Sequence, residues 1–284
     1  MKNIRVIAKN LIEVVMTKPV GGNAAALSYW LTLSIFPFLI CVTVILSSLN
    51  IQETAVFGML QGAIPEPVFD WLHEHLSYIG TLNRNLILLI GITAMLTSSS
   101  AAFRTFTHFI GEVQGEVRFI GIKRIIISFL FSVIFLAVIY GSAIVLLFGE
   151  WFIHLFDPYF QENIISELVL VIRFAVVFLL LFSVIYIMYL LTSPPGKSCQ
   201  PRIPGAIAAS IALIIASVIY SQLISISIRF QILYGSLASF IILLIWLHTC
   251  SIILIMANVL NISIGKMRSD EREKENISEE LLET

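Results

Sequence analysis

The stretch FQILYGSLASFIILLIWLHTCSIILIMANVLNISIG, Phe230–Gly265, runs for 36 residues without an Asp, Glu, Lys or Arg. A helix rising about 1.5 Å per residue needs about 20 such residues to cross roughly 30 Å of hydrocarbon. This run is therefore long enough for one crossing. It shows no period-2 alternation, and lipid offers no partner for an open backbone, so a helix is expected rather than a barrel strand.

Working outward, five more uncharged runs appear: Pro19–Gln52, Asn85–Phe103, Ile125–Gly149, Phe174–Gly196 and Ile203–Ile228. The whole chain of 284 residues is 58% apolar and 12% charged, against roughly 45–50% and about 25% in ordinary soluble domains. The expected fold is all-α: a polytopic integral membrane bundle of six transmembrane helices, with spans at about 24–50, 85–104, 125–149, 173–193, 203–228 and 232–264. They form one membrane domain, residues 1–266. Residues 267–284, MRSDEREKENISEELLET from Met267 on, are expected to be a charged, disordered cytoplasmic tail.

Cytoplasmic loops carry the excess of Lys and Arg. Lys2, Arg5, Lys9 and Lys18, then Arg104, Arg118, Lys123 and Arg124, then Lys197 and Arg202, then Lys266, Arg268, Arg272 and Lys274 all fall on one side, leaving Arg84, Arg173 and Arg229 on the other. Both termini are thus expected in the cytoplasm. The first apolar run is about twice the length of a signal-peptide core, so a cleaved leader is not expected. Three loops read as amphipathic interfacial segments: Val68–Ile79 outside, Arg104–Arg124 lying flat beneath the bundle, and the aromatic Trp151–Phe160. Cys41, Cys199 and Cys250 do not suggest a disulfide framework.

Three motifs carry a resemblance. AAALSYWLTLSIFPFL, Ala24–Leu39, combines an Ala-rich start, an aromatic pair and Phe-Pro. PPGKSCQPRIPGAIAAS, Pro194–Ser210, ends a loop in Pro-Gly-Ala as a span begins. YGSLASFIILLIWLHTCSIILIMANVLN, Tyr234–Asn261, has Tyr-Gly, a mid-helix Trp and a closing Asn. In this order and spacing they resemble the YihY/BrkB family of bacterial inner-membrane proteins, once labelled ribonuclease BN. The resemblance covers most of the chain and implies a multi-pass protein of the bacterial cytoplasmic membrane with an export or lipid-handling role. The family often carries an acidic residue two positions before the closing Asn, where this chain has Val259.

Polar residues inside spans are functional candidates because their insertion is costly. His248 reads either as a proton-sensing or substrate-contacting group, or as a neutral imidazole bonded to a hydroxyl such as Ser251. Arg104 and Arg229 stand near opposite membrane faces, suited to a phosphate or to snorkelling and capping. Ser98, Ser99 and Ser100 either line a cavity leading to Arg104 or allow close helix contact. Asn258 and Asn261, one turn apart, admit the same two readings. Gly21 and Gly22, with Pro19, are expected to hinge the first span, and Pro37 to bend it. Small residues at that span's start suggest contact with Gly205–Ser210 and Gly235–Ser239.

The leading expectation is a transporter or lipid translocase, taking an anionic amphiphile. A non-transporting membrane scaffold for envelope proteins is the alternative, and a ribonuclease the third reading. His73, His75, His108, His154 and His248 are scattered along the chain, and His73–Glu74–His75 lacks the spacing that puts two metal ligands on one helix face. The protein is accordingly expected not to be an enzyme, to use no cofactor or metal, and to bind membrane lipids and an unknown substrate rather than nucleic acid. A homo-oligomer is compatible with the sequence.

Overall fold

A computed structural model describes residues 2–48, 84–115, 121–135, 162–193, 201–226 and 236–283. All regular structure among them is helical. Seven helices are described: α1 (Lys2–Thr17), α2 (Val20–Ser48), α3 (Arg84–Gln114), α4 (residues 122–135), α5 (Glu162–Thr192), α6 (Ile203–Ile226) and α7 (Ser236–Glu283). Three of them contain segments long and apolar enough to cross a membrane: Asn85–Gln114, Ile203–Tyr220 and Phe240–Ser269. A shorter apolar segment, Phe178–Thr192, ends α5. Large apolar side chains stand exposed along α3, α4, α6 and α7, including Leu89, Ile126, Ile215 and Ile245. Such a surface in water would be a liability, and in a bilayer it is the solvated face.

Two expected boundaries change. The segment after Arg104 does not turn to lie flat; α3 continues through it to Gln114 with Phe106, Phe109 and Ile110 fully buried. No proline interrupts Thr97–Gln114, so nothing breaks the ladder. The helix stops at Gly115, whose φ of 73° is left-handed, and Gly121 at φ 62° precedes α4. Glycine adopts that region at no steric cost, which makes it a natural helix stop.

The second change is at the C-terminus. Residues 267–283, expected to be disordered, extend α7 as helix to Glu283. Glu, Lys, Arg and Leu are good helix formers. Asp270 and Lys274 are spaced four apart with the acid first, the favourable order. Propensity and charge order here outweigh the general link between high charge and disorder. The expected external helix Val68–Ile79 and the aromatic loop Trp151–Phe160 lie outside the described residues.

The chain divides into two compact units. One comprises Met1–Val20, Thr107–Ala212 and Ile253–Thr284; the other comprises Gly21–Phe106 and Leu213–Ile252. In the second unit, α2 runs unbroken through Pro37. Its close neighbour is Gly91 of α3: a Cβ there would stand 2.7 Å from Cys41 Sγ and 3.6 Å from the Pro37 carbonyl. Phe36 faces Phe240 of α7 at 6.4 Å between ring centres, and Tyr220 shares a 3.0 Å hydrogen bond with Thr249. Lys18 and Pro19 separate α1 from α2, and the Val20 N–H donates to the Lys18 carbonyl at 2.8 Å. Gly21 and Gly22 sit in the first turn of α2, with open space around Gly21.

Candidate functional site: a polar ring joining three helices

In the first unit, α5 ends at Thr192 and Ser193, just before Pro194 and Pro195 in the sequence. Proline lacks an N–H and disfavours helix in the residue before it, which fixes this end. Then α6 starts at Ile203 with Pro204 in its first turn, where a missing N–H costs nothing. Arg202 occupies the capping position, its carbonyl accepting the Ala206 N–H at 3.2 Å. Its side chain has no oxygen to cap the next free N–H groups, and those must be satisfied from elsewhere.

Asn261 of α7 supplies that cap from a distant part of the chain. Its Oδ1 accepts the Gly205 N–H at 2.7 Å, and its Nδ2 donates to the Arg202 carbonyl at 3.1 Å. The contact is so close that a Cβ on Gly205 would overlap the Ala257 carbonyl and the Asn261 carboxamide. Glycine is therefore needed here to let two helix backbones meet.

One turn earlier, Asn258 Nδ2 donates to Thr192 Oγ1 at 3.1 Å, and Thr192 donates in turn to the Tyr189 carbonyl at 3.0 Å. The Tyr189 hydroxyl reaches back to the Leu254 carbonyl of α7 at 2.8 Å. Ser193 donates to the Tyr189 carbonyl at 2.8 Å and accepts from Arg202 Nε at 3.3 Å. These bonds close a ring: α5 to α7, α7 to α6, and α6 back to α5. Tyr189, Thr192, Ser193, Asn258 and Asn261 are all buried, while Arg202 is partly exposed.

The ring offers amide, hydroxyl and guanidinium donors. Its members hold no carboxylate, and the donors described here are bonded within the ring. Buried polar atoms in an apolar bundle either share bonds with one another or wait for a ligand that replaces those bonds.

The other residues singled out from sequence distribute as follows. Arg104, in the second unit, donates from Nη1 to Ser100 Oγ at 2.7 Å, one turn back on the same helix. Ser99 and Ser100 are buried and Ser98 is partly so. His248 is partly buried on α7. Ser251, its suggested partner, gives its proton to the Leu247 carbonyl at 2.8 Å instead. Arg229 lies outside the described residues. His108 pairs with Glu112 at 3.2 Å along an exposed face of α3. Among the described residues no group of three or more His, Cys, Asp or Glu side chains is placed to hold a metal.

Sequence reasoning picked out Asn258 and Asn261 but missed Tyr189, Thr192, Ser193 and Arg202. The available signal was the Thr-Ser pair before Pro-Pro and an uncapped Arg-Ile-Pro-Gly helix start. The small Gly205 face meets α7 at Ala257 and Asn261.

These elements sit within a known family. The family described as virulence factor BrkB matches residues 11–281. A Bacillus subtilis (strain 168) protein named as ribonuclease-like, YfkH, is 27% identical over 258 residues, covering 87% of this chain and 90% of that protein. No solved structure matches. The match takes in α2 to α6, the C-terminal part of α1, nearly all of α7 and the whole polar ring, and the chain belongs to the BrkB family.

Proposed function

We propose that this protein is a six-span transporter or lipid translocase of the bacterial cytoplasmic membrane, with both termini inside and an anionic amphiphile as substrate. The observation that carries this reading is the ring of Thr192, Ser193, Arg202, Asn258 and Asn261 tying three apolar helices where α5 gives way to α6. Membrane carriers often build substrate sites where helices are interrupted and backbone groups become available. A headgroup phosphate presents the acceptor oxygens that these donors suit, and a guanidinium binds phosphate through two parallel bonds. Arg104, bonded to Ser100 one turn back on its own helix, and Arg229 stay separate sequence candidates for an anionic group. With no acidic residue at Val259, proton coupling lacks its usual carboxylate, so substrate movement down its gradient is the simpler cycle.

Native mass spectrometry of the gently extracted protein tests this, with bound lipid released and identified. Wild type should retain a defined anionic lipid, and Arg202→Ala should lose it while the protein stays folded by circular dichroism. Arg104→Ala should weaken retention. Lipid of the same bulk composition in wild type and both variants would remove the basis for a lipid substrate and favour a scaffold.

The name of the Bacillus subtilis relative supports a second reading, RNA cleavage. Purified protein should then cut RNA and lose that activity when all five histidines are replaced. Cleavage that survives their replacement marks a contaminating nuclease.

A further inference from the structure

α1 has two faces of different character. Ile7, Leu11 and Val14, spaced at four and three, form a stripe that is partly buried. On the opposite side Lys9, Ile12 and Met16, spaced at three and four, form a second stripe that is open. Ile12 is 64% exposed and Met16 82% exposed. A helix side meant for water would carry polar residues at these positions.

The charge of this part of the sequence is one-sided. Between Lys2 and Lys18 the sequence carries Lys2, Arg5, Lys9 and Lys18 against the single acid Glu13. Only Lys18 and Pro19 separate α1 from the uncharged α2. With α2 read as a span, a two-residue connection limits how far the end of α1 can stand from the point at which α2 enters the membrane. We propose that the Lys9–Ile12–Met16 face of α1 is a binding surface for anionic phospholipid of the leaflet at which α2 begins. Lys9 and Lys18 meet headgroup phosphates, and Ile12 and Met16 enter the acyl boundary. An amphipathic helix with a basic flank is held at an interface by the same two contributions, buried apolar area and attraction to anionic lipid. A soluble protein would have to cover the same side chains within reach of the bilayer, and the net positive charge favours the lipid.

The full chain reconstituted in vesicles tests this. With Cys41, Cys199 and Cys250 replaced by Ala, a spin label is placed at Met16→Cys or, separately, Ile12→Cys. Its accessibility to oxygen and to a water-soluble nickel chelate reports its depth. In phosphatidylglycerol-containing vesicles both labels should lie about 5–10 Å below the phosphates. Adding Lys9→Glu and Lys18→Glu, or using pure phosphatidylcholine, should move them towards water. Nickel access in the anionic vesicles would overturn the proposal, as would a label shielded from both reagents or a depth indifferent to the charge reversal. Hydrogen exchange of the unsubstituted chain gives a second reading free of folding artefacts. Amides of residues 9–16 should exchange about tenfold slower with phosphatidylglycerol than with phosphatidylcholine alone, and equal rates would overturn the assignment.

Discussion

At the scale of single residues, Gly205 and Asn261 decide how closely α6 approaches α7. Asn261 caps α6 from another helix, so Asn261→Ala leaves the Gly205 N–H without its 2.7 Å acceptor. Losing an N-cap side chain costs about 1 kcal/mol, and hydrogen bonds between membrane helices average nearer 0.6 kcal/mol. A loss of about 1 kcal/mol is the expected effect. Gly205→Ala does more, because the new methyl meets the Ala257 carbonyl, which cannot rotate away, as well as Asn261. Overpacking of this kind costs roughly 1–3 kcal/mol. The double variant removes the Asn261 part of the overlap, so its loss should fall short of the sum of the two. Thermal unfolding in detergent reads all three, and a Gly205→Ala protein as stable as wild type would mean the two helices do not meet here. The two asparagines were legible in sequence because an uncharged run makes any amide conspicuous. Their partners were not, since Thr192 and Gly205 lie 66 and 56 positions away and nothing local announces the pairing.

At the scale of elements, helix identity was readable and helix ends were not. Length and absence of charge marked the runs that became α2, α3, α6 and α7, but hydropathy changes where lipid ends, while a helix stops where its hydrogen-bond ladder is broken. In α3 the two points differ: charge reappears at Arg104, yet the ladder persists to Gln114 and the left-handed Gly115. The same distinction explains α7, whose apolar part ends near Lys266 and whose helix reaches Glu283. At about 1.5 Å per residue, its 17 residues from Met267 to Glu283 make a projection of about 25 Å. Ending the chain at Lys266 should therefore lower the molar helical ellipticity by the contribution of 17 residues, whereas a disordered tail would leave it unchanged. The basic N-terminal segment misled in a similar way. Its Lys and Arg enter the topology count, while Ile7, Leu11 and Val14, spaced four and three apart, carry the period of the helix that forms there.

At the scale of the whole molecule, the number of crossings follows from two independent sequence properties, and they can be set against each other. Over the described residues, three helices have the length and composition to cross alone, and three crossings would leave the termini on opposite sides. The remaining uncharged runs fall on α2, α4 and α5, and counting them gives six, which returns the chain to its starting side. The distribution of Lys and Arg favours an even count: Lys2, Arg5, Lys9 and Lys18 at one end and Lys266, Arg268, Arg272 and Lys274 at the other are both clusters of the kind held in the cytoplasm. Any even count gives the same result, so the loops need testing as well as the ends. A fluorescent protein that matures only in the cytoplasm should glow when fused before Met1 or after Thr284, and alkaline phosphatase at those points should stay inactive. Phosphatase inserted near Arg84 or Arg229 should be active, because these are the basic residues assigned to the outside. Fluorescence at one terminus and phosphatase activity at the other would sink the six-span arrangement. It would also place the Lys9–Ile12–Met16 face and the charged end of α7 against different leaflets.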